Sequence, residues 1–108
     1  AVVHEQAGGK VTVHNDMDEG LEGVDVIYAK SWGARSEYGP RGNTEFRNGL
    51  RDWIVNRERQ GNAAFMHCLP VRRNVVVTDA VIDGPKSWVA EQARARVLTQ
   101  AAVLHELL

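Results

Sequence analysis

Hydrophobic positions along the chain change their period several times, and each change predicts a new element. Lys10 to His14 (KVTVH) is a short β-branched run behind Gly8-Gly9 and predicts a strand. Asn15-Asp16 offers a helix cap, and Met17 to Gly23 predicts a short acidic turn or helix ended by Gly23. Val24 to Ala29 (VDVIYA) is nearly continuous in apolar residues, as in a parallel-sheet strand covered on both faces. Ser31 to Gly42 carries three glycines and a proline and predicts a loop. From Asn43 to Gln60 the period lengthens. Phe46, Leu50, Trp53 and Ile54 form one stripe of an amphipathic helix, which Asn43 or Thr44 would cap and Gly61-Asn62 would stop. Ala63 to Cys68 predicts a third strand closed by Pro70, and Asp79 to Asp83 a short helix before Gly84-Pro85. Val89, Ala93, Val97, Ala101, Leu104 and Leu108 then recur every three or four residues and predict a long final helix.

Strands alternating with helices in this order imply parallel βαβ units, hence an α/β fold with a partial doubly wound sheet. A lone strand before the first helix is an odd opening for such a domain. The expectation is the back part of a domain that lacks its first strands.

Composition excludes more than it names. With 108 residues, 44% hydrophobic and 25% charged, the chain has ordinary globular character. Thirteen basic and fourteen acidic residues leave a net charge of -1, so no global field favours nucleic acid or an anionic membrane. No apolar run reaches the roughly 18 residues of a membrane span, and the start AVVHEQAGGK lacks the layout of a signal peptide. The single cysteine, Cys68, forms no internal disulfide and suits a reducing cytoplasm.

The chemistry concentrates after two predicted strands. In open α/β sheets ligands gather beyond the carboxyl ends of strands. Here the loop AKSWG carries Lys30 there, and HCLPVRRN carries Arg72 and Arg73. Cations at such ends are expensive to desolvate unless an anion meets them. A Cys/His nucleophile is disfavoured, because neighbouring strand residues His67 and Cys68 point to opposite faces. Metal binding is disfavoured as well: His4, His14, His67 and His105 are scattered and none lies at ligand spacing from Cys68. The plainer alternatives are a snorkelling Lys30, and arginines that bind a helix C-terminus or a carboxylate. Arg94 and Arg96 lie two apart on a helix, so at most one of them reaches a common site. Spacing alone reaches an anion-binding α/β unit and stops there.

HCLP at a strand end resembles the signature of the ornithine carbamoyltransferase superfamily. HCLPVRRN with YAKSW upstream is similar to the branch acting on N-acylated ornithine, the N-acetylornithine and N-succinylornithine carbamoyltransferases. EQARARVLTQAAVL resembles the last helix of that family, usually written with an EAENR-like start, and places Arg96 on the family arginine. The resemblance covers essentially the whole chain. It implies that residues 1–108 are the C-terminal, acylornithine-binding domain, incomplete at its N-terminal side. The STRT and HPxQ motifs of the carbamoyl-phosphate domain are absent from it.

The implied reaction moves the carbamoyl group of carbamoyl phosphate to the δ-amine of N-acetylornithine, in arginine biosynthesis. By resemblance Cys68 and Arg96 serve catalysis, Cys68 by position and main chain, Arg96 by polarising the carbamoyl group. Lys30, Cys68, Leu69, Arg72 and Arg96 would contact substrate, Leu69 through its main chain. No cofactor and no metal are implied, nor a nucleic-acid or membrane partner, and the family is usually trimeric. Lys30, in place of an acidic loop, fits a substrate whose α-nitrogen is capped. Val76 stands where some acetylornithine enzymes have lysine, which keeps N-succinylornithine as the alternative substrate. A catalytically inactive chain that only folds or self-associates is the alternative of another class.

Overall fold

The computed structural model describes residues 8–31 and 49–108. Helix α1 (Met17–Leu21) starts because the Asp16 carboxylate accepts the Glu19 N–H at 2.9 Å, and Asp18 and Glu19 sit at its positive end. The chain leaves it through Gly23, whose φ of 69° is open to glycine at little cost. Strand β1 (Val26–Ala29) pairs in parallel with strand β2 (Ala64–His67), with Ile27 opposite Phe65 and Ala29 opposite His67. On its other edge β2 is held by the segment before the last helix: Phe65 N–H donates to Lys86 O and Trp88 N–H to Phe65 O, both at 2.8 Å. β2 is therefore the interior strand. β1 pairs with β2 alone among the described residues, and its outward Val26 and Tyr28 are exposed.

Helix α2 (Arg57–Gln60) precedes β2, α3 (Asp79–Ile82) follows its turn, and α4 (Val89–Leu107) ends the chain. The core beneath the sheet joins Ile27, Val55, Ala63, Phe65, Val77, Val81, Ile82 and Val89, with Met17 and Leu21 of α1 against it. No helix among the described residues is long and apolar enough to cross a membrane.

Two expected elements differ. Lys10 to His14 forms no strand. All five residues are exposed, Val13 at 88%, and β propensity alone makes no strand. The helix expected over Asn43 to Gln60 is not continuous. Its beginning, with Phe46, lies outside the described residues. After Gly49, Leu50, Trp53 and Ile54 are half-buried on a turning backbone, and Val55 bridges to Val77. The Asn56 side chain then accepts the Arg59 N–H at 2.9 Å and starts α2 afresh. From Leu50 onward, the helical spacing of Leu50, Trp53 and Ile54 belongs to a turn and a bridge, and a new cap follows. The loop expected over Ser31 to Gly42 lies, beyond Ser31, outside the described residues as well.

Candidate active site

Both strands run in the same direction, so their carboxyl ends bring residues 30 and 68 side by side. Lys30 Nζ lies 3.8 Å from Cys68 Sγ. Cys68 is half-buried and His67, one residue earlier, is 2% exposed, and both border the space under α4. Burial first, and the Lys30 charge second, push the His67 imidazole below its ordinary pKa. Its Nδ1 accepts the Leu69 N–H at 2.9 Å. His67 is thus occupied by the turn and is no base for Cys68.

The turn itself is unusual backbone. Leu69 has φ 55°, a left-handed conformation rare for a leucine, and the Leu69–Pro70 peptide is cis. The arginine pair then divides. Arg73 is bound on both sides, donating to Asp79 Oδ1 at 2.7 Å and to Asp83 Oδ1 and Oδ2 at 2.6 Å. Hydrogen bonds from Arg73 hold both carboxyls below the usual range, and Asn74 adds a further donor to Asp79. Asn74 also accepts the Asp79 N–H, stapling the turn to α3. Arg72 is exposed and has no side-chain hydrogen bond or ion pair with any described residue. Its guanidinium is free to meet an anion, and Arg73 takes the plainer structural role.

Across the strand ends stands α4. A cavity of about 370 Å³ lies between them, lined by Tyr28, His67, Cys68, Gln92, Arg96 and Thr99 among others. Arg96 therefore faces the space that Cys68 borders, and Arg94 does not line it. Lys30 borders a neighbouring cavity of about 290 Å³ with Ile27, Trp53, Val55 and Val76. Tyr28 is common to both cavities. Leu69 and Arg72 stand on the turn beside these spaces rather than among their lining residues.

Tyr28 and Gln92 were missed by sequence reasoning. Gln92 Nε2 donates to the Tyr28 hydroxyl at 3.0 Å, tying α4 to β1, while its Oε1 is buried with no partner among the described residues. The signal was available: Gln92 lies four residues before Arg96, on the same helix face. A larger cavity of about 820 Å³ lies away from the strand ends, lined by Asp18, Glu19, Glu22, Asp52 and Glu58. Its one arginine among the described residues, Arg59, is already bound to Asp18 at 2.6 Å. Such a wall repels anions, so the smaller, cationic space at the strand ends is the better site.

This geometry agrees with what the chain is similar to. It is 39% identical over 110 aligned positions to N-acetylornithine carbamoyltransferase of Xanthomonas campestris pv. campestris, covering 95% of this chain and 32% of the relative. It is 42% identical over 105 positions to N-succinylornithine carbamoyltransferase of Bacteroides fragilis, covering 93% and 31%. A crystal structure of acetylornithine transcarbamylase complexed with acetylcitrulline superposes with a TM-score of 0.86 at 37% identity. That superposition covers 96% of this chain and 32% of the other. The chain thus spans about a third of the length of these relatives. The sequence profile of the aspartate/ornithine carbamoyltransferase Asp/Orn binding domain matches residues 2–107, and the chain belongs to that family.

Proposed function

We propose that this chain is the amino-acid-binding domain of an N-acylornithine carbamoyltransferase, with N-acetyl-L-ornithine as its substrate. One observation carries the reading. Lys30 and Cys68 meet at the ends of two parallel strands, and Arg96 faces from α4 the space that Cys68 borders, next to the one that Lys30 borders. In the reaction the δ-amine attacks the carbamoyl carbon, a C–N bond forms, the C–O bond to phosphate breaks, and the amine sheds a proton. Main-chain carbonyls of Cys68 and Leu69 at the turn are suitable partners for that amine. Arg96 stabilises charge developing on the carbamoyl oxygen. Arg72 and Lys30 hold the carboxylate and acyl ends. Carbamoyl phosphate itself is bound mainly by residues outside this chain, in keeping with relatives three times as long.

N-succinylornithine is the second reading, favoured by the Bacteroides fragilis relative and by Val76 in the wall beside Lys30. The experiment joins this chain to the upstream two-thirds of an N-acetylornithine carbamoyltransferase and assays acetyl-, succinyl- and free ornithine. N-acylcitrulline formation from acylornithine is expected, and preference for free ornithine overturns the reading. The reaction belongs to biosynthesis in the cytoplasm.

The same reading includes self-association, because β1 leaves its outer edge unpaired among the described residues and such edges invite another chain. Light scattering should give a mass above 12.0 kDa. A cooperative 12.0 kDa monomer would show the edge to be otherwise protected.

A further inference from the structure

The His67 side chain takes no part in the proposed chemistry, yet it is the most deeply placed polar group at the site. It is 2% exposed, lines the cavity under α4, and uses one nitrogen only. Nδ1 accepts the Leu69 N–H at 2.9 Å, so the proton of the neutral ring sits on Nε2. Nε2 is buried without a partner among the described residues. Leaving a buried donor unused forfeits about what a hydrogen bond gains, so the ring orientation is set by Nδ1. What Nδ1 holds is the amide of the residue whose φ is 55°. A leucine resists that conformation, and the surroundings must over-determine it.

We infer that His67 is a positioning residue: its Nδ1, by binding the Leu69 N–H, fixes the left-handed turn that aims the Cys68 and Leu69 carbonyls at the substrate amine. The aim of those carbonyls rests on the function proposed above; the turn itself does not. Three neighbouring facts agree. β2 delivers His67 inward at the last register pair, opposite Ala29, so the ring is anchored by the sheet. The acceptor reaches only two residues ahead, a span that a rigid ring bridges without a flexible stem. Beyond the turn, Arg73 and Asn74 clamp the chain to α3, so the peptide between His67 and Arg73 is fixed at both ends. A displacement of the carbonyls by about 1 Å can cost on the order of 100-fold in rate.

The test separates the two ring nitrogens. His67→Asn places an amide oxygen near the Nδ1 position, and His67→Gln places one near the Nε2 position. Nitrogen-15 NMR of the 108-residue chain should show His67 with its proton on Nε2. The Leu69 amide should exchange slowly in the wild type and in His67→Asn, and at least about tenfold faster in His67→Gln. In the joined enzyme, His67→Gln should lower kcat about 10- to 100-fold with KM for acylornithine within about threefold. His67→Asn should restore kcat to within about fivefold of wild type, a spread of one ordinary hydrogen bond. A proton on Nδ1 in the wild type overturns the inference. So does equal Leu69 exchange in the two variants, or a Gln variant as active as the Asn variant. If the wild-type joined enzyme rejects acylornithine while the tautomer and exchange results hold, the functional reading fails and the His67 turn stands.

Discussion

β2 and α4 meet at Trp88, yet they are held in place by different forces. Three of the four residues of β2 are buried, and both of its edges are hydrogen-bonded, to β1 and to the Lys86–Trp88 segment. Of the nineteen residues of α4 only Val89 is buried. Val97, Leu98, Leu104 and Leu107 are all more than half exposed. α4 is rich in Ala, Glu, Gln, Arg and Leu, residues that favour a helix without help. β2 exists because of what surrounds it; α4 exists because of its own backbone. The site uses both: a turn whose strain the interior must hold, and an arginine presented by a self-supporting helix.

The largest expected effect tests that contrast directly. Phe65 is fully buried at the centre of the core, and Phe65→Ala should cost about 3–5 kcal/mol in urea unfolding. Leu107, 77% exposed, should lose no more than about 0.5 kcal/mol on the same substitution. Comparable losses at the two positions would mean that α4 is covered by a neighbouring chain in solution.

Next comes the arginine pair, which sharpens the comparison within the turn. Arg72→Ala should raise KM for acylornithine about 30- to 150-fold in the joined enzyme, the equivalent of about 2–3 kcal/mol for a lost charged partner. Arg73→Ala should leave KM within about threefold and instead lower the unfolding temperature, because its partners are Asp79 and Asp83. A reversed pattern would exchange the roles of these two residues.

A smaller effect belongs to the junction between the regions. A Cβ on Gly84 would stand 2.6 Å from Ala80 O, a backbone atom that cannot step aside, so Gly84→Ala should cost about 1–3 kcal/mol. Ala101→Gly in exposed α4 should cost about 1 kcal/mol and show as lost helicity by circular dichroism. If Gly84→Ala proved neutral, the close approach of α3 to the following turn would be wrong.

What the sequence could show follows the same division. α4 was legible because local spacing and propensity decide it, and β1 and β2 because near-continuous apolar runs of strand length read as strands, although Val26 and Tyr28 of β1 are exposed rather than covered. HCLPVRRN marked the candidate site, and YAKSW supplied Lys30 to the neighbouring space. Beyond Gly49, the helix expected over Asn43 to Gln60 was misread because periodicity cannot see the Val55–Val77 bridge, a contact made by residues far apart in sequence. Lys10 to His14 was misread because β propensity follows context rather than a fixed backbone preference. The different fates of Arg72 and Arg73 were illegible for a related reason: only the fold brings Asp79 and Asp83 onto one of them. The Tyr28–Gln92 link likewise joins residues 64 apart.

The smallest expected effect is a pH dependence rooted in β2 and absent from α4. Burial, and then the charge of Lys30, lower the pKa of His67 below its ordinary 6.5. The unfolded chain therefore binds a proton at a higher pH than the folded chain does. Stability from neutral, buried His67 is fully present above pH 6.5 and falls as pH drops from there toward the lowered folded value. Protonation also takes the lone pair from Nδ1, so the Leu69 N–H loses its acceptor over the same window. Unfolding temperature should decline with acid across this range, and the Leu69 amide should lose protection relative to its intrinsic exchange rate, whereas His67→Asn should remove both changes. An acid slope that survived His67→Asn would move its origin to another group and leave the Nδ1–Leu69 bond without a part in stability.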